Sequence, residues 1–560
     1  MIIMRSSPRL LVQILTLVAI VTATIAQDDD FHLTLLHTTD VSSRFEQFLS
    51  SGMNCTESQA EMGKCFGGVA RRATAINKVR NERNDINVLL LDAGDQFVGT
   101  WFNFFEGEAT SYFMNLLGYD VMTFGNLEFA AGLEVLAQFL EDINFPIVSA
   151  NLNITNVPAL QGLFNKSTVI EYEGERIGII GYGHEQINVI ALLGGAEFTD
   201  PIPAIQSEVD ALTSQGINKI IVLSHQWGSI DTDLKVAQTV KGVDIIVGGG
   251  QNHFQYTGCA PDVEPILDEY PIVITPDHDP DGTVLIVHGT VYAKYLGRLN
   301  VVFDCDGNVT EWYGNPILLD DSVEQDPETL SEIEEYRKGI TAVTDKVVGR
   351  SLVYLQGSPR GVLTCRQKEC NLGNLITDAA VWYWVTVFND KEWNDISMAV
   401  TNGGGLRDSI DKGAILYREI TSVFPFANTY DALQLEGRYV REMLEHSVAN
   451  YPTSGAFLQV SGIRVTYDIS KDPYNGRVVE VLVLCTECRI PEYFPLDDER
   501  LYRIAIPSFI ASGGDGFGVL RDHARTRAQG GVDAEILAAY IESFTPIFVG
   551  LEGRIKFVDS

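Results

Sequence analysis

From Phe31 to roughly Asp320 the chain alternates short β-rich apolar runs with longer stretches of helical periodicity. His32–His37, Asn87–Asp92, Asp120–Phe124, Arg176–Gly181, Lys219–Ser224 and Val243–Gly248 read as strands. Between them Phe66–Asn81, Leu133–Glu141 and Pro203–Gln215 read as helices. This spacing predicts an α/β core in which some neighbouring strands pair antiparallel. Five polar residues stand just after these strands: Asp40, Asp95, Asn126, His225 and Asn252. Strand ends are where α/β folds place their ligands, so the five form a pattern.

The pattern changes near Asp320. Ser322–Tyr336 is acidic, helix-forming and sparse in apolar residues, which predicts an exposed connecting helix running on into Thr341–Val348. An ordinary surface helix within one domain is the alternative. Beyond it, from about Arg350 to Phe544, a second unit has its own strands, glycine-rich turns and apolar helices. The expected organisation is residues 1–26, 27–320, 321–349 as the linking helix, and 350–550.

At the start, Arg5 and Arg9 flank an apolar run, Leu10–Val21, followed by Thr24-Ile25-Ala26 and the polar Gln27-Asp28-Asp29-Asp30. A basic start, a short apolar core and small residues before a polar break predict a signal peptide, cleaved after Ala26. The core is too short for a comfortable membrane span. The end, Gly553 to Ser560, carries no apolar tail of the kind a C-terminal lipid anchor needs. The expectation is a secreted, extracellular protein without a membrane anchor.

Charge and cysteine content narrow the partners. The net charge of −35 disfavours nucleic-acid backbones and anionic membranes, although a local arginine patch suffices for one small anion. The 8 cysteines include three close pairs, Cys55/Cys65, Cys365/Cys370 and Cys485/Cys488, which leaves Cys259 and Cys305 as a long-range pair. Asn54, Asn153, Asn165 and Asn308 each begin a glycosylation sequon.

Several strings resemble the 5′-nucleotidase family. Leu35–Arg44 (LLHTTDVSSR) looks like its opening metal motif, and Leu89–Gln96 (LLLDAGDQ), Phe124–Phe129 (FGNLEF) and Val247–Phe254 (VGGGQNHF) look like its next blocks. In the second half Cys365–Asp378, Thr401–Ile410, Phe424–Asn428 and Ala511–Phe517 resemble its nucleotide-binding domain. The resemblance covers the mature chain in order. It implies an N-terminal calcineurin-like metallophosphoesterase sandwich domain joined by a helix to a C-terminal α/β nucleotide-binding domain. Its general look is similar to the salivary apyrase-like branch of blood-feeding arthropods.

By the same resemblance two divalent ions (Zn, Ca or Mg) would be held by Asp40, a bridging Asp95, Asn126, His225 and Asn252. Here the chain departs from the pattern. Ser42 stands where the family has a metal-binding His, Leu127 replaces the catalytic His, Ala130 replaces the Asp that pairs with it, and Gly250 replaces a further metal-binding His. Removing one transition-state donor typically costs about 3 kcal/mol, and leucine cannot donate to a phosphoryl oxygen. His184 and His253, both near strand ends, are the residues that could replace a lost imidazole. The expectation is no catalytic residue, no firmly held cofactor and at most a residual divalent ion.

The nucleotide half keeps its residues. Phe426 and Phe509 match a stacking pair for a purine, and Asp515 matches a ribose-binding carboxylate. Arg366 and Arg407 match phosphate contacts, and Asn402 matches a base- or ribose-facing amide. Together these imply a secreted salivary anti-haemostatic protein of the chrysoptin type that inhibits platelet aggregation without substantial hydrolysis. Its partner would be a host platelet receptor or an adenine nucleotide. The alternative is a divalent-metal-dependent apyrase or 5′-nucleotidase that cleaves ATP, ADP or AMP.

Overall fold

The computed structural model describes residues 30–50, 55–82, 87–129, 131–172, 174–191, 193–226, 229–251, 253–359, 363–387, 396, 398–474 and 476–558. The expected signal peptide, the Asn54 sequon and the positions Ala130 and Asn252 lie outside the described residues.

The first half is a sandwich of two mixed sheets. One runs in the order Val309–Gly314, Tyr295–Phe303, Phe31–Thr38, Asn87–Asp92, Val121–Thr123, Ile147–Val148. The other runs Ile272–Ile274, Val284–His288, Ile245–Gly249, Lys219–His225, Glu175–Gly183, Ser167–Tyr172. Phe31–Thr38 pairs parallel with Asn87–Asp92 and antiparallel with Tyr295–Phe303, so the expected mixture of directions is present. Alternation selects the faces: Leu33, Leu35, Leu89, Leu91, Ile177, Ile179, Ile221, Leu223, Ile245 and Val247 meet in the layer between the sheets. Ile180, Ile220, Val222 and Ile246 point the other way, under the helices Pro201–Ser214 and Asp231–Thr239. Burial on both faces explains why these strands read as near-continuous apolar runs.

Helix boundaries shift by a few residues for local reasons. The helix expected from Phe66 begins at Val69, because Cys65–Phe66 is a strand and Gly67 and Gly68 take positive φ. The acidic helix expected from Ser322 begins at Pro327 and ends at Thr344. Asp326 caps it by accepting from Thr329 N at 2.8 Å, and a proline at the first helical position fixes the start.

The second half has a five-stranded sheet in the order Leu458–Ser461, Met398–Asn402, Leu501–Pro507, Tyr430–Glu436, Thr526–Ala528. Its two faces differ. Ala399, Ala432 and Ala505 lie under the helices Asn371–Val387 and Asp533–Phe544, where small side chains admit close packing. Met398, Val400, Leu433, Leu435, Ile504 and Ile506 face the helix Gly437–Ser447. The whole is a mixed α/β fold of two domains, each with its own sheets and core.

Three disulfides join the close pairs Cys55–Cys65, Cys365–Cys370 and Cys485–Cys488. The expected Cys259–Cys305 bridge does not form: both cysteines are exposed and unbridged. The loop after Cys259 is tied by Asp262 and Glu264 to Lys294, just before the strand Tyr295–Phe303. Cys305 follows the far end of that strand, whose nine residues span roughly 30 Å at ~3.3 Å each. Titration of the folded, unreduced protein with a thiol reagent is expected to find two reactive thiols. Cys259→Ser and Cys305→Ser should each remove one; a count of zero would mean that the pair closes.

Candidate functional site

The loops that follow the first-half strands interlock through their own backbones. Asp40 N donates to Gly94 O at 2.8 Å, Ser42 N to Asp95 O at 3.1 Å and Ser43 N to Gln96 O at 2.9 Å. Asp40, Ser42, Ser43 and Asp95 all take positive φ, the left-handed turns that let two loops cross at this distance. Beneath them lies Glu128, fully buried. Its carboxylate accepts from Gln96 N at 2.7 Å, Asp95 N at 3.0 Å and Gly125 N at 2.6 Å. Burial, reinforced by the charge of Asp95, lifts its pKa to about 7 against those donors. Glu128 lies inside a motif the sequence singles out, yet reading residues one at a time assigns it no role.

Around this anchor the buried side chains of Asp40, Asp95 and His225 converge, with one ligand-type atom of each within 4.8 Å of the others. His225 Nδ1 donates to Ala93 O at 2.7 Å, which turns Nε2 toward Asp95 Oδ2 at 3.4 Å. Burial alone would depress the imidazole, but the Asp95 charge, with Asp40 behind it, pushes its pKa up to about 9. Among the described residues Asn126 Oδ1 is buried without a hydrogen-bond partner. Two carboxylates, an imidazole nitrogen and an amide oxygen are a donor set that suits a divalent cation, and the residues present fit one such ion. Asn252 falls outside the described residues. Among the described residues neither His184 nor His253 joins the cluster. His184 Nδ1 accepts from Gln186 N at 3.0 Å, and His253 pairs with Asp268 at 2.8 Å.

At the departures from the family pattern, backbone groups hold the carboxylates. Leu127 N donates to Asp95 Oδ1 at 2.8 Å, and Gly250 N donates to Asp40 Oδ2 at 2.8 Å. Gly250 has φ +79°, and a Cβ there would stand 2.2 Å from Gln226 O and 2.9 Å from His225 Nε2. An imidazole at 250 therefore requires this loop to move.

The structure brings the second-half residues together. Arg366, Asn402, Arg407, Phe426, Phe509 and Asp515 all line one cleft of about 960 Å³, and Asn126, Leu127 and Gly250 line the same cleft from the metal side. Asn402 Nδ2 donates to Asp515 Oδ2 at 2.7 Å. Burial raises the Asp515 carboxyl, while that hydrogen bond and the nearby Arg366 and Arg407 charges pull it down. The glycines have a steric purpose: a Cβ on Gly514 would lie 2.4 Å from the Phe509 ring, and one on Gly403 2.1 Å from Cys365 O. The residue that sequence reasoning passed over is Asn428, whose Oδ1 accepts from Phe509 N at 3.1 Å and so fixes that ring's backbone. The guanidinium of Arg407 lies 5.2 Å from the Phe426 ring centre.

Comparison with known proteins agrees with this geometry. Residues 347–522 match the family described as "5'-nucleotidase, C-terminal domain". The chain is 43% identical over 538 residues to "Snake venom 5'-nucleotidase" of Naja atra, covering 94% of this chain and 99% of that protein. It is 41% identical over 537 residues to "5'-nucleotidase" of Homo sapiens, covering 94% and 91%. The crystal structure of a 5'-nucleotidase precursor from Thermus thermophilus superposes with a TM-score of 0.82 at 35% identity, over 95% of this chain and 100% of that one.

Glu128→Leu is expected to lower unfolding free energy by about 3 kcal/mol or more, because it strands three buried N–H donors at roughly 1–3 kcal/mol each. Urea denaturation measures this. A change under about 1 kcal/mol would remove Glu128 as the anchor of the loops.

Proposed function

The chain belongs to the 5′-nucleotidase family, and on that premise we propose that it is an extracellular nucleotide-binding protein that hydrolyses nucleoside 5′-phosphates slowly. One observation carries the reading: a single cleft is lined on one side by six nucleotide-type residues and on the other by the loops of the carboxylate–imidazole cluster. A purine stacks on Phe426 and Phe509, the ribose meets Asp515 and Asn402, and the phosphate is drawn by Arg366 and Arg407 toward Asn126. Asp40, Asp95, Asn126 and His225 would hold one divalent ion, which supplies Lewis-acid polarisation of a phosphoryl oxygen when bound.

Slow turnover follows from the cleft wall. Leu127 places an apolar side chain where an imidazole would donate to the phosphoryl group, and one such donor is worth about 10²–10³ in rate. The similarity to 5'-nucleotidases of Naja atra and Homo sapiens supports nucleotide hydrolysis. Neither a salivary origin nor a platelet receptor is supported by an observation of this molecule. Three disulfides and venom relatives support an extracellular setting. Among the described residues no helix is long and apolar enough to cross a membrane.

Two measurements test the proposal. Phosphate release from AMP, ADP and ATP with Zn, Mn or Mg should be slow and should vanish with chelator or in Asp95→Asn. Leu127→His with Ala130→Asp should raise it by about 100-fold. Rapid release by the unaltered protein would refute the attenuated site, and no binding of any nucleotide would refute the reading as a whole. By calorimetry, Phe426→Ala and Phe509→Ala should each weaken AMP binding by about 5- to 100-fold, the loss of one stacking face.

A further inference from the structure

A second cavity, of about 50 Å³, lies where the loop after the first strand, the helix Pro327–Thr344 and the segment Arg407–Pro425 meet. Arg44, Arg337, Arg407 and Arg418 line it, with Ser42 and Ser43 on the loop side. The carboxylates in its lining are Glu46 and Asp345, which sit 3.3 Å from Arg337 and 2.7 Å from Arg418. From outside the lining, Asp408 pairs with Arg44 at 3.4 Å and Glu334 with Arg337 at 3.3 Å. Four guanidiniums around one small cavity stand out in a chain of 75 acidic and 40 basic residues.

We propose that this cavity is a binding site for a small tetrahedral oxyanion of phosphate chemistry. Size supports it. One water needs about 10–15 Å³ of such space, so the cavity of about 50 Å³ takes roughly three to five oxygen-sized atoms, a range that includes the four oxygens of a phosphate. Chemistry supports it too, because planar guanidinium forks present paired donors that match phosphate oxygens. The anion bridges the first half through Arg44, the linking helix through Arg337, and the second half through Arg407 and Arg418. Arg407 also lines the nucleotide cleft, so occupancy here bears on how that cleft is held. Ser42, at the position where the family pattern has a metal-binding imidazole, borders this cavity and is absent from the lining of the cleft. The site does not rest on the nucleotide reading. Its source of phosphate is either free orthophosphate or the terminal phosphate of a nucleotide.

Equilibrium dialysis with radiolabelled orthophosphate tests the site in the unaltered protein, in Arg366→Gln of the cleft, and in the double variant Arg337→Gln, Arg418→Gln. Bound phosphate is expected to survive Arg366→Gln and to weaken at least about tenfold in the double variant, since two charge-assisted donors are lost. A non-hydrolysable ATP analogue separates the sources. If its affinity also falls in the double variant while that of adenosine holds, the ligand is a nucleotide's terminal phosphate; if only orthophosphate responds, the ligand is the free ion. No phosphate bound by the unaltered protein overturns the proposal, as does binding abolished by Arg366→Gln and untouched by the double variant. Should the double variant fail to fold, crystals of the unaltered protein soaked in selenate decide the matter. An anomalous peak among the four arginines is expected, and a peak confined to the cleft, or none, overturns the site.

Discussion

A carboxylate buried at the end of a β-strand must find donors, and in this protein the donors are backbone N–H groups of neighbouring loops. Glu128 takes three, from two different loops, and Asp95 and Asp40 each take one from the loops bearing Leu127 and Gly250. Leaving such groups unmatched would cost several kcal/mol, so the loops are obliged to keep one arrangement. Positive φ at Asp40, Ser42 and Asp95 is the local strain that this arrangement demands. The convergence of ligand-type side chains is a consequence of that backbone lattice.

The lattice explains how a site can lose chemistry without losing shape. The bonds from Leu127 N to Asp95 and from Gly250 N to Asp40 use backbone groups and not the side chains at 127 and 250. Substituting those side chains removes imidazoles from the cleft but leaves the loops standing. Gly250 goes further, because its positive φ and its contact with Gln226 O have closed the space an imidazole would fill. The nucleotide half is organised by a different economy of space: glycines at 403 and 514 admit the backbone beneath Cys365 and the ring of Phe509, and Asn428 fixes the latter.

Electrostatics divides the molecule in the same way. Positive charge is gathered where phosphate would be: Arg366 and Arg407 in the cleft, and Arg44, Arg337 and Arg418 at the junction of the halves. In a chain of net charge −35 these guanidiniums, several of them braced by carboxylates, are the local positive groups that suit a small anion.

Much was legible in the chain itself. Apolar runs bounded by polar residues gave the strands, and the ordered motifs gave the two-domain α/β fold and the family. The close cysteine pairs gave three disulfides, because a short loop leaves few partners. Helix starts at Val69 and Pro327 were misjudged where a short strand and a capped proline override periodicity. The Cys259–Cys305 pairing failed because elimination says nothing of distance, and the two exposed cysteines lie on different loops. Glu128 and Asn428 went unassigned because their partners are backbone atoms of remote loops, which leave no side-chain signature. Sequence thus determined which residue types are present at strand ends, since that depends on local pattern alone. Only the tertiary structure decided that Arg366, Asn402, Arg407, Phe426, Phe509 and Asp515 share a cleft with Asn126, Leu127 and Gly250, and that four arginines meet behind it, because those distances are set by how the halves pack.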